Sequence, residues 1–427
     1  MERSNFIKLM AAVPLSRCAT RAAVQPADSI RTSATGGTDG ATDGEPDWVR
    51  EVRRQMPACQ DGIYLQTGSF GPSPRNVVES VHELLQLQLK GPAYPEVVAR
   101  LQAAEDSCRP LLARLLGAQP DEVTLTHNTT EGLNIILWSI NWREGDEIIT
   151  SNHEHPALLG PCYNLRDRFG VRHRIATIDR EEDVVANVLA QVSGRTRLVA
   201  LSHVSRQSGR VVPVRALARA LRDRGIRLLL DAAQATGNIA FNFQDSGCDY
   251  YSFCGHKWLL APKGTGGLLI RRDLLAGTPV SYTGAHAHQA LDAGGHYTWH
   301  PDSRRYEYGT RAQFNFGGFA EAVRWFELLG PDRIHARIRA LSLRVSQAIG
   351  QTGKLQLVSP AGEDRSGIVV LRLPADKPAK DVARRLLEQD RILVSPLDEP
   401  RDLRLSVNFF NTWAELEYTV ARLAAYA

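Results

Sequence analysis

Between Arg227 and Arg271 the chain reads RLLLDAAQATGNIAFNFQDSGCDYYSFCGHKWLLAPKGTGGLLIR, and three apolar runs within it set what the molecule can fold into. Leu228 to Leu230 is short and wholly apolar, the pattern of a strand buried on both faces in a helix-covered parallel sheet. It ends on Asp231, and the amide Gln234 follows three positions later. A second run, Tyr250, Tyr251 and Phe253, ends in Cys254-Gly255-His256-Lys257, and a third covers Gly264 to Ile270. Open α/β sheets bind ligands outside the carboxyl ends of their strands. Two such ends offer one acid, Asp231, and one amine, Lys257.

A lysine that forms a Schiff base with an aldehyde cofactor needs a desolvated, electropositive setting that lowers its pKa. Pyridoxal phosphate also needs an anion opposite its pyridine nitrogen, so that the protonated ring works as an electron sink. Asp231 and Lys257 meet those two demands; a surface lysine and a turn-opening aspartate explain each residue only when it is taken alone. The succession DAAQ, GHKW and PKGTGG resembles the signature region of the class V, fold-type I pyridoxal-phosphate enzymes. That group includes cysteine desulfurases, cyst(e)ine C–S lyases, isopenicillin N epimerase and kynureninase. The resemblance implies an α/β fold: a large domain with a mostly parallel seven-stranded sheet between helices, and a smaller α+β C-terminal domain.

With 427 residues, 43% of them hydrophobic and 23% charged, the chain can bury a large core. A net charge of +4 with dispersed basic residues leaves no nucleic-acid footprint. No run approaches the length of a membrane span. Six cysteines without a CxxC pair argue against a disulfide framework or structural zinc, and fit a reducing, cytoplasmic setting. The first residues are Ser-, Ala- and Gly-rich, with Arg3, Lys8, Arg17, Arg21 and Arg31 against Glu2 and Asp28 up to Thr38. Residues 1–45 therefore read either as a disordered tail or as a transit peptide to an organelle. Residues 46–75 form an N-terminal arm, 76–315 the large cofactor-binding domain and 316–427 the small domain.

Along the chain, helices are expected over Trp48 to Met56, around Val78 to Leu85 and over Glu96 to Leu116, the second stopped by Gly91-Pro92. Thr124 to Asn134 reads as a short strand leading into an apolar helix at Ile135 to Ile140. Helix N-termini bind anions, and capping alone also explains the threonines. The family resemblance assigns Thr129 and Thr130 to the cofactor phosphate. It likewise places the His155 ring over the cofactor, whereas His153 reads as a solvated loop residue and Glu154 as a structural hydrogen-bonder. From Asp146 to Leu230 strands and helices alternate, which implies a parallel sheet with right-handed crossovers. In Ser202 to Gly209 the chain departs from the desulfurase pattern: Arg206 stands where asparagine is usual, and a guanidinium there suits a substrate anion. Cys254 replaces a phosphate-binding serine with a weaker thiol donor, and His256 matches a phosphate-contacting histidine.

Four histidines, His286, His288, His296 and His300, punctuate Tyr282 to Asp302; their spacing does not complete a metal site, and the segment reads as an active-site lid. Arg305 to Thr310 resembles a family motif whose threonine reaches across a homodimer interface to the partner's phosphate, so Thr310 is carried over in that role. Helix Gly317 to Leu329 leads to strand Ile368 to Leu373, helix Lys380 to Gln389 and strand Leu403 to Val407. Arg404 matches the arginine that forks onto the substrate α-carboxylate, a structural salt bridge being the competing reading.

Persulfide transfer needs a cysteine shortly before that arginine, and no cysteine follows Cys254. The chemistry left is proton abstraction at Cα by Lys257, followed by β-elimination of a sulfur leaving group. A class V aminotransferase or an isopenicillin N epimerase-like enzyme is the alternative, and a non-catalytic cofactor-fold binding protein a further one.

Overall fold

The computed structural model describes residues 44–179, 183–362 and 364–427, so the expected tail lies almost wholly outside the described residues. The described strands are β1 Ile63–Tyr64, β2 Val123–Thr126, β3 Glu147–Ser151, β4 Arg172–Ala176, β5 Thr196–Ser202, β6 Arg227–Asp231, β7 Tyr250–Cys254, β8 Gly266–Ile270, β9 His288–Leu291, β10 Tyr297–Trp299, β11 Gln356–Leu357, β12 Ile368–Arg372, β13 Ile392–Leu393, β14 Ser395–Pro396 and β15 Asp402–Ser406. Seven form one sheet in the order β2-β8-β7-β6-β5-β3-β4. Strand β8 runs antiparallel to both its neighbours, and the remaining pairs are parallel. The apolar run on β6 is explained by burial on both faces. Leu228 and Leu230 pack into one core cluster, and Leu229 points the other way into a second.

The second sheet is antiparallel, in the order β11-β12-β15-β14, and encloses its own cluster. Leu371, Leu403 and Leu405 meet there with Val345, Leu386 and Leu423 from three helices, Pro331–Gln351, Ala379–Asp390 and Trp413–Tyr426. A short parallel pairing of β1 with β13 ties the N-terminal arm to this lobe. Residues Glu45–Ala427 form a single compact unit.

Three expectations are corrected. The helix expected over Glu96 to Leu116 is two, Pro95–Asp106 and Cys108–Leu116. Pro110 has no N–H for the Asp106 carbonyl and its ring crowds that oxygen, so the first helix ends and Pro110 falls in the first turn of the next. The apolar helix after β2 is Thr129–Ser139, starting six residues before the expected Ile135 because Asn128 caps it. His153 is buried, not solvated: its ring contacts Asp179 at 2.9 Å and Ser205 at 3.0 Å.

Candidate active site

At the carboxyl end of β6, Asp231 is 4% exposed, and its carboxylate accepts the Ala233 N–H at 2.9 Å. Burial pushes its pKa up, with the Ala233 N–H and the Lys257 charge pulling back. Lys257 stands in the connection between β7 and the antiparallel β8, which turns back at the same edge of the sheet. Two flanking contacts hold that connection. Trp258 Nε1 donates to Gln234 Oε1 at 2.9 Å, and Gln234 Nε2 donates to the Gly68 carbonyl at 2.7 Å, so the Gln234 amide joins the arm to the lysine segment. Gly71 donates its N–H to the His256 carbonyl at 2.8 Å, and a Cβ on Gly71 would run into the Lys257 carbonyl. Leu260 adopts a φ of 59°, a left-handed conformation that a leucine holds only when its surroundings enforce it.

Beside this acid and amine lies the start of the Thr129–Ser139 helix. Asn128 Oδ1 accepts the Glu131 N–H at 3.0 Å, and Ser252 Oγ on β7 donates to the Thr129 carbonyl at 2.8 Å. The first-turn N–H groups and the positive end of the helix dipole favour an anion here. Thr129 Oγ1 is buried with the weak Cys254 thiol beside it and no strong partner among the described residues; His256 Nδ1 is buried and unpartnered in the same way. Burial, then the charges of Lys257 and Lys263, hold the His256 imidazole at about 4, so it is neutral near pH 7. Burial raises the Cys254 thiol above its ordinary range, which keeps it protonated. A buried carboxylate, a lysine and unpaired hydroxyl and imidazole groups at a helix N-terminus together fit the pyridinium, aldehyde and phosphate of pyridoxal phosphate.

A third group faces them from the smaller sheet. Arg404 on β15 is 4% exposed, and its Nη2 donates to Ser69 Oγ at 2.8 Å and Ser395 Oγ at 3.1 Å. Ser395 is its register partner across β14 and β15. Burial, then the Arg206 charge, lowers Arg404 to about 10, and it still carries its charge at neutral pH. Arg206, in the loop after β5, pairs with Asp398. His155 caps the helix Pro156–Phe169: its Nδ1 accepts the Ala157 N–H at 3.0 Å, which puts the ring proton on Nε2. Partial burial, then Lys257 and Arg206, hold it at about 4. Glu154 accepts the Ser202 N–H and hydroxyl at 2.9 and 2.6 Å, and burial raises it to about 7.

One cavity of about 440 Å³ brings together Thr129, Thr130, His155, Arg206, Asp231 and Gln234. Cys254, His256, Lys257 and Arg404 complete the set of singled-out residues on its wall. Thr310 is not among them: it is exposed and lines a separate cavity with His286 and His300. The segment Tyr282 to Asp302 carries the exposed hairpin β9–β10; none of it lies on the wall around Lys257, and Tyr282 lines a neighbouring cavity with Asn128 and Thr130. Among the described residues no group of three or more His, Cys, Asp or Glu could hold a metal ion. Ser69, Ser395 and Asp398 carry contacts that the sequence did not single out. Each lies on Arg404 or Arg206 through long-range packing; the turn-rich stretch Ile63 to Pro72 resembles the family's arm that enters the active site, but it does not single out Ser69 within it.

The fold and cavity define a fold-type I pyridoxal-phosphate enzyme. A family model described as Aminotransferase class-V matches residues 63–396, and the chain belongs to that family. Isopenicillin N epimerase of Streptomyces clavuligerus is 31% identical over 390 residues, covering 87% of this chain and 96% of that protein. A probable cysteine desulfurase of Methanothermobacter thermautotrophicus is 30% identical over 291 residues, 67% of this chain and 72% of that one. The solved complex between the cystine C–S lyase C-DES and its reaction product cysteine persulfide superposes with a TM-score of 0.83 at 26% identity, covering 87% of this chain and all of that one. The C-DES mutant with glycine covalently linked to the PLP cofactor gives 0.84 at 26% identity, covering 90% of this chain and 100% of that one. No described helix is long and apolar enough to cross a membrane.

Proposed function

We propose that this enzyme breaks the Cβ–S bond of an S-substituted cysteine or of cyst(e)ine. The observation that carries the reading is a cavity with a lysine base and a buried guanidinium fork whose wall between them, Ser395, Pro396 and Leu397, holds no thiol. A desulfurase-type persulfide carrier would stand on that stretch.

In this reading Arg404, braced by Ser69 and Ser395, holds the α-carboxylate and so fixes which Cα bond faces Lys257. Thr129, Thr130, His256 and the Cys254 thiol would hold the cofactor phosphate, Asp231 would pair with the ring nitrogen, and His155 would pack against the ring. When bound, pyridoxal phosphate supplies the electron sink for the charge developing at Cα. The Lys257 amine takes the Cα proton, the electron pair moves to form a Cα–Cβ double bond, and the C–S bond breaks with its pair on sulfur. The leaving thiolate takes up a proton. The remaining three carbons leave as an α-imino acid, which water converts to pyruvate and ammonia.

Three coarser readings accompany this one. The enzyme is a homodimer in which Thr310 completes the partner's phosphate site, supported by its exposure and its distance in the fold from the wall around Lys257. Residues 46–75, 76–315 and 316–427 act as arm, large domain and small domain. Five buried, unbridged cysteines support a reducing compartment, the cytoplasm.

Epimerisation is the second reading, favoured by the similarity to isopenicillin N epimerase over nearly the full chain. The purified protein should show a visible cofactor band that Lys257→Ala abolishes, with turnover falling by about 10³-fold or more. S-substituted cysteines should yield pyruvate and thiol in equal amounts. Cα–H exchange with deuterium oxide and no pyruvate would decide for the epimerase, and conversion of the band by L-alanine for an aminotransferase.

A further inference from the structure

An amino-acid substrate brings one α-carboxylate, and one guanidinium suffices to hold it. This cavity has two. Arg404 is already set for the α-carboxylate by Ser69 and Ser395, which leaves Arg206 without a task in the reaction as derived above. Arg206 is not spare cofactor-binding capacity either. The phosphate cradle at Thr129 sits over β7, to which Ser252 bonds it, whereas Arg206 follows β5, two strands along the sheet and roughly 10 Å away.

The charges on the wall point the same way. Arg206 and Arg404 bring two guanidiniums to the wall beside Lys257, and buried Asp231 is the one carboxylate among the described residues that line the cavity. Arg206 lowers the pKa of Arg404, so the two guanidiniums feel each other across the space between them. What balances Arg206 is Asp398, whose side chain is 73% exposed, while the Arg206 side chain is 17% exposed. Arg206 Nε remains buried without a partner among the described residues. An ion pair with one partner this open to water is weak and gives way readily to a better-placed anion. Asp398 lies one residue beyond the cavity-lining Leu397, so its displacement requires only a rim side chain to turn outward.

We infer that Arg206 reads a second, distal anionic group, and that the substrate is an amino acid whose sulfur substituent ends in a carboxylate or a similar anion, with Asp398 occupying that position until the substrate arrives. The inference rests on the lyase reading for the sulfur atom and stands by itself for the second charge. A substrate of this kind bridges Arg404 and Arg206 and relieves the repulsion between them.

The test is calorimetric titration of the cofactor-loaded enzyme with unreactive acids of graded length, succinate, glutarate and adipate, against butanoate as the single-charge control. At least one dicarboxylate should bind about tenfold or more tighter than butanoate. Arg206→Gln should remove that preference, bringing the dicarboxylates to within about twofold of butanoate on the same variant, and Asp398→Asn should raise dicarboxylate affinity a few-fold by removing the competing carboxylate. Equal binding of mono- and dicarboxylates by the unmodified enzyme, a preference that survives Arg206→Gln, or no gain in Asp398→Asn would each overturn the inference. Because the titration needs no turnover, its outcome is separate from the lyase assay; an enzyme that releases no thiol yet prefers dicarboxylates would lose the proposed reaction and keep the second anion site.

Discussion

At the Thr129 end of the cavity, the contributing side chains stand on the first turn of one helix or on the strand end and connection beneath it, β7 and the Cys254 to Lys257 segment. At the Arg404 end they come from Ser69, Arg206, Ser395 and Asp398, which meet only because the arm, the loop after β5 and the small sheet pack together. The first end is built from local capping and strand-end geometry and needs little from the remainder of the chain. The second depends on docking of the arm, which closes against the lysine segment through Gly68 and Gly71. Anion binding at the helix terminus thus draws on one helix and the strand end beneath it, whereas the guanidinium pair is a property of the assembled fold.

Substitutions should separate the two ends. Arg404→Lys keeps the charge but loses the planar fork, so kcat/KM should fall by about 10²-fold, mostly through KM, with the cofactor band intact. A loss of cofactor binding instead would show that the two ends are not independent. Gly71→Ala, whose added carbon meets the Lys257 carbonyl, should cost about 1–3 kcal/mol in urea unfolding and weaken substrate more than cofactor. Asn128→Ala acts at the opposite end: loss of the cap bond to Glu131 should cost about 1 kcal/mol and loosen the cofactor while leaving KM near its original value.

The last effect concerns pH and is absent at neutral pH. His203 is 4% exposed between the rings of Phe241 and Tyr251, and burial lowers its pKa from 6.5 to about 3. Between those values the unfolded chain binds a proton that the folded chain refuses, so stability declines as pH falls from 6.5 towards 3. Glu154, raised by burial from 4.5 to about 7, works in the opposite direction: its folded form holds the extra proton, and stability declines as pH rises through that range. His203→Gln should therefore flatten the acid limb of a Tm-against-pH curve without moving the KM of the Arg404 end. An unchanged limb would mean that His203 is charged in the folded protein.

The fold was legible wherever burial imposed a periodicity. The apolar runs at β5, β6 and β7 read as strands because both their faces are covered, and the segment ends carrying Asp231 and Lys257 follow from where those runs stop. The apolar spacing of Glu96 to Leu116 continues across Pro110, so periodicity does not show the break, which depends on where the Asp106 carbonyl stands. His153 read as solvated because a single loop histidine carries no burial signal; Asp179 and Ser205, far along the chain, supply its contacts.

By itself the sequence determined the acid and the amine at two strand ends, the threonines ahead of an apolar helix, and the lack of any cysteine beyond Cys254. These are short-range facts, written in residues that sit next to one another. Only the tertiary structure decided that Arg404 is braced by Ser69 and Ser395, that Arg206 faces the same space with Asp398 as its counterion, and that Thr310 stands apart. Those relations depend on strand register and on the packing of segments hundreds of residues apart, where charge and distance act through space and leave no periodicity in the chain.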